Sequence, residues 1–198
     1  MKKYFKRHIA LTNEHGSWVF LFSPLLIGIF AGGNFSSISM YLVFAALAGF
    51  LIRQPIVIAV KAYSGRRPRS DLPAARFWMV VYGAIGLLMV VGLVVCGFGY
   101  VLWLAVPGVP VFIWHLFLIR RRAERRQIGV EVVASGVLAL SAPAAYWVGA
   151  GTAEPLGWWL WALVWLQSAA SIVYAYLRLE QRSWTESPPV RVRLSEGR

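Results

Sequence analysis

Apolar residues in this chain come in blocks. They neither alternate nor recur with a 3.6-residue period. Six blocks cover roughly residues 17–33, 38–62, 77–98, 100–119, 128–149 and 156–177. Each is close to the ~20 residues that carry an α-helix across ~30 Å of hydrocarbon. A helix that is apolar all round needs a buried or lipid environment. The pattern predicts an all-α, polytopic transmembrane helical bundle of about six spans, occupying residues 1–178. After Arg178 the chain turns polar, with Pro188 and Pro189 and mixed charge. Residues 179–198 read as a disordered cytoplasmic tail.

Charge orders the blocks. The connections at 34–37, 98–100 and 150–155 carry no Lys or Arg. All twenty Lys and Arg fall in "MKKYFKRH", "KAYSGRRPRSDLPAAR", "RRRAERRQ", the tail, or the helix ends beside them. Cytoplasmic loops retain positive charge, so both termini are predicted inside. The net charge of +12 would suggest nucleic acid in a soluble protein. Here retention of topology accounts for it, and no nucleic-acid partner is expected. Composition agrees: 59% of residues are hydrophobic and 14% charged, against about 25% charged in soluble domains. The basic start is not read as a signal peptide, because Glu14 and His15 interrupt the approach to the apolar run and no A-x-A site follows. Cys96 stands alone, which excludes an intrachain disulfide.

Aromatic residues mark the expected borders. Tyr100, Trp103, Tyr146, Trp147, Trp158, Trp159 and Trp161 fall at the outer one; Trp18, Trp78, Trp114 and Trp184 fall at the inner one. Gly28 and Gly32 form a GxxxG pattern, which permits close helix approach without naming the partner.

Polar groups that enter the bilayer are costly and therefore informative. The candidates for a ligand-binding cluster are Glu14 and His15 before the first span, Arg53 and Gln54 in the second, and His115 in the fourth. Glu131 in the fifth span and Gln167, Ser171, Tyr174 and Arg178 in the sixth complete it. All lie in the predicted cytoplasmic half. Arg53 either snorkels to headgroups or pairs with Glu131 or Glu14. Glu14 and His15 are expected to face inward near Arg53. The residues of the sixth span, spaced by 4, 3 and 4, share one helix face, which is expected to look into the bundle. Pro55 removes a helical hydrogen bond, so a kink or break is expected at 51–55.

No catalytic residue is assigned. The chain has no P-loop, HExxH or GxSxG motif, and Asp71 is its one aspartate. No cofactor and no metal are expected.

The stretches "EHGSW", "SPLLIG", "RQP", "GVEVVASGVLALSAPAAY" and "SIVYAYLRL" resemble the YwiC-like family of bacterial membrane proteins, from about residue 8 to 180. The resemblance implies a multi-pass protein of the bacterial cytoplasmic membrane and brings no established chemistry. This chain is short for that family. A fainter resemblance links the P-x-x-x-G pattern of the first span to UbiA-type prenyltransferases. Those enzymes hold Mg²⁺ and a prenyl diphosphate with Asp-rich motifs, which are missing here. The expected function is a non-catalytic lipid- or quinone-binding bundle, or an accessory membrane subunit, with a polar site at the cytoplasmic side. The alternative is a membrane enzyme or carrier acting on an amphipathic anion, as a divergent UbiA-like prenyltransferase would be. Expected partners are membrane lipids, including anionic headgroups or an isoprenoid or quinone, and other membrane subunits.

Overall fold

Helices account for nearly all of the described backbone, as the apolar blocks require. The computed structural model describes residues 7–11, 16–121 and 128–181. Its α-helices are α1 (Arg7–Ala10), α2 (Ser17–Gly32), α3 (Ser37–Tyr63), α4 (Leu72–Val95), α5 (Gly108–Arg120), α6 (Ile128–Ala139), α7 (Ser141–Ala150) and α8 (Leu156–Gln181). Short 3-10 turns, Arg69–Asp71 and Gly99–Ala105, lead into α4 and α5. Five segments are long and apolar enough to cross a membrane: Ser37–Tyr63, Arg69–Val95, Gly99–Arg120, Ile128–Ala150 and Leu156–Gln181. The sixth, α2, has 16 residues, which reach only ~24 Å at 1.5 Å per residue.

Helix register follows from close contacts. Gly83 lies against Ile52, Gly86 against Ala48 and Gly92 against Tyr41, so α3 and α4 run antiparallel. Gly28 lies against Ala142 and Ala145, and Gly32 against Tyr146 and Gly149, so α2 and α7 run parallel. The GxxxG pattern therefore has its partner: α7, whose Ala142, Ala144 and Ala145 are small enough to let the backbones meet. Among the spans, Ile128–Ala150 is the most enclosed, with half of its most apolar window buried. It forms the centre, and α3, α4, α5 and α8 turn large apolar side chains such as Phe44, Leu87, Ile113 and Leu163 outward. In water such a surface would be unfavourable; against acyl chains it costs nothing.

Two expectations need correction. The helix does not break at 51–55. α3 continues through Pro55, which is fully buried in a helix packed along its length by α4. The interruption falls at Leu140, between α6 and α7. Pro143 explains it, since its missing N–H withdraws the i+4 donor of the Ala139 carbonyl. The Leu140 N–H turns instead to the Val137 carbonyl (3.2 Å), and Ser141 Oγ donates to the Leu138 carbonyl (2.7 Å). The second correction concerns the aromatic border. Tyr146 and Trp147 are core residues, packed with Leu25, Leu42 and Leu93. Trp103 and Trp159 are exposed, as border residues can be.

Candidate functional site at the basic end of the bundle

The register places one set of helix ends together: those at Ser17 of α2, Tyr63 of α3, Leu72 of α4, Arg120 of α5, Ile128 of α6 and Gln181 of α8. Contacts across the set tie it up. Trp18 packs on Phe50 at 5.2 Å between ring centroids, and Arg66 donates to the Ile119 carbonyl. Every Lys and Arg among the described residues belongs to this end. The opposite end carries Glu154, which accepts from the Tyr146 hydroxyl and from Thr152.

At the basic end, Arg53 is half-buried on α3. Its Nη2 donates to Nε2 of His115 on α5, at 3.4 Å. A guanidinium only donates, so Nε2 is the acceptor in this contact. Beside it, Gln54 Nε2 donates to the His8 carbonyl at 3.4 Å. The short helix α1 is held here by two further contacts. Ile9 is fully buried against Ile58, Ala59, Ala62 and Ala75, and the Tyr82 hydroxyl donates to the Ala10 carbonyl at 2.8 Å. An apolar anchor and two backbone carbonyls thus fix α1 over α3 and α4.

The remaining candidates lie elsewhere. Glu131, in the first turn of α6, accepts a hydrogen bond from Tyr176 of α8 at 2.6 Å. This carboxylate was one expected partner for Arg53; the tyrosine takes it instead. Gln167, Ser171, Tyr174 and Arg178 do share a face of α8, but that face is exposed. Ser171 Oγ donates to the carbonyl of Gln167 (2.9 Å), and Arg178 lies over the Tyr174 ring at 5.6 Å. The inward orientation expected for this stripe is therefore corrected. Ser171 and Arg178 find their partners on α8 itself, and a serine bonded back to its own helix needs no neighbour. Glu14 and His15 lie outside the described residues. The structure thus brings together Arg53, Gln54 and His115, and separately Glu131 with Tyr176.

The family model described as "YwiC-like protein" matches residues 11–146. The chain belongs to the YwiC-like family. "Uncharacterized protein YwiC" of Bacillus subtilis (strain 168) is 30% identical over 166 residues, which are 80% of this chain and 61% of that protein. The chain spans about three fifths of that relative's length. No solved structure matches it. In this YwiC-like chain, Arg53, Gln54, His115 and Glu131 lie inside the matched region, whereas the α8 stripe lies beyond it. Kinship to UbiA-type enzymes finds no support, and among the described residues no three His, Cys, Asp or Glu gather to hold a metal ion.

Sequence reasoning missed Tyr176, His8 and Tyr82. Nothing in the spacing of a tyrosine singles it out as the donor to one glutamate 45 residues away. The role of α1 did leave a trace, because Ile9, Ala10 and Leu11 form an apolar run directly after a basic segment.

Proposed function

We propose that this YwiC-like protein is a non-catalytic membrane bundle whose basic end faces the cytoplasm and holds the anionic head of an amphipathic lipid. Support comes from the partner of Arg53. A carboxylate would neutralise the guanidinium, but an imidazole nitrogen takes one donor and leaves the positive charge in place. The remaining donors suit phosphate oxygens, which guanidinium binds in bidentate fashion. Lys61, Arg66, Arg67, Arg120 and Arg121 add positive potential at the same end, where it attracts anionic lipid.

The experiment is native mass spectrometry of the purified chain with phosphatidylglycerol or phosphatidylcholine of equal acyl length. Arg53→Gln is expected to weaken phosphatidylglycerol retention roughly tenfold, the effect of losing a charge-assisted contact. His115→Gln, which leaves the guanidinium in place, should retain most of it. Equal retention by the wild type and Arg53→Gln sinks the reading.

Sidedness is checked by reporter fusions. A fusion at Gly65 is expected to report the cytoplasm, and fusions at Gly97 and Gly151 the opposite side. Any agreement between Gly65 and Gly151 contradicts the orientation.

A further inference from the structure

Glu131 stands at the basic end of the bundle without a basic partner among the described residues. The chain has 20 Lys and Arg against 8 Asp and Glu. Yet among the described residues this carboxylate meets only the Tyr176 hydroxyl, through Oε1. Oε2 has no described partner. The carboxylate sits, exposed, in the first turn of α6. It borders an open groove of about 280 Å³ between α2, α6 and α8. Phe20, Ile172 and Leu179 supply the apolar wall, and Ser171 and Tyr176 the other polar groups.

A bare carboxylate oxygen at the mouth of an apolar groove selects an amphiphile with a cationic, hydrogen-donating head. We propose that this groove binds a membrane phospholipid bearing a primary ammonium headgroup. The ammonium donates to Oε2 of Glu131, and an acyl chain lies over Phe20 and Leu179. The site is opposite in charge preference to the Arg53 region. It rests on the chain lying in a bilayer and not on anionic-lipid binding at Arg53. A quaternary ammonium of the same charge has no N–H, so it keeps the Coulomb attraction and loses the hydrogen bond. That difference is the signature of the site.

The test uses the full chain in detergent with phosphatidylethanolamine, its N-methylated and N,N-dimethylated forms, and phosphatidylcholine, all with the same acyl chains. Bound lipid is counted by native mass spectrometry. The wild type should retain phosphatidylethanolamine roughly tenfold better than phosphatidylcholine, as one charge-assisted hydrogen bond gives. Glu131→Gln should erase that preference. Tyr176→Phe should keep it, because the carboxylate remains. Leu179→Ser, at an exposed position of the apolar wall, should reduce both lipids. Equal retention of the two lipids by the wild type overturns the proposal without using any variant. An unchanged preference in Glu131→Gln overturns it as well. Phosphatidylglycerol retention is read in parallel: its loss in Arg53→Gln alone, or its absence throughout, bears on the Arg53 region and leaves this result standing.

Discussion

Gly28→Leu is expected to prevent stable folding of the bundle. A Cβ at Gly28 would stand 2.1 Å from the Ala142 carbonyl oxygen and 2.8 Å from the Ala145 Cβ. The first obstacle is backbone, so no rotamer change relieves it. The two helices must separate, and with them the contacts at Gly32 and Gly149, where a Cβ on either would meet the other backbone within about 3.1 Å. Overpacking a tight site costs about 3 kcal/mol or more where the surroundings cannot yield. Lipid offers no hydrophobic compensation, because helix association there depends on close packing. The control is Gly49→Leu, since nothing lies within 4 Å of a Cβ built at Gly49. Thermal unfolding in detergent and gel filtration should show an aggregated or strongly destabilised Gly28→Leu protein beside a near-normal Gly49→Leu protein. Similar behaviour of the two would mean that α2 and α7 are not packed through Gly28.

How much of this was legible in the sequence depends on what each feature needs. Spans need only length and hydropathy, which mark where apolar helices lie but not their ends: α5 begins at Gly108, well inside the block that opens at 100. The last helix runs to Gln181, four residues past the apolar block that ends at 177. Helix partners need three-dimensional context. Gly28 and Gly32 announced a close approach, but a GxxxG pattern carries no address. The prolines show the same limit. Pro24 and Pro55 lie within unbroken helices, whereas Pro143 follows an interruption. All three lack an N–H, so the difference arises from packing and from which groups can receive the freed carbonyls. The α8 stripe failed for a related reason. Its spacing was read correctly, but a shared face does not say which way the face points. Arg53 and His115 were both singled out by the cost of polarity in the bilayer. That one would bond the other across 62 positions is information only the fold holds.

The interruption at Leu140 gives the last prediction. In a regular helix the Gly136 carbonyl would accept from the N–H of Leu140. That N–H has turned to Val137, so Gly136 needs another donor. Trp161 of α8 supplies it: its indole Nε1 donates to the Gly136 carbonyl at 2.9 Å. One turn along, Trp165 Nε1 donates to the Val132 carbonyl at 2.9 Å, and the two rings stack with centroids 5.1 Å apart. A carbonyl without a donor is costly where water is scarce, about 1–3 kcal/mol. Trp161→Phe keeps most of the ring and removes the N–H, so a loss of that size is expected. Trp161→Leu should cost more, about 3–5 kcal/mol, because packing against Trp158 and Trp165 goes with it. Trp158→Phe is the control. Trp158 is about half exposed and donates no described hydrogen bond. Reversible unfolding in mixed detergent should rank the variants Trp158→Phe, Trp161→Phe, Trp161→Leu in order of increasing loss. If Trp161→Phe matched Trp158→Phe, the indole N–H would not be what supports the interrupted helix.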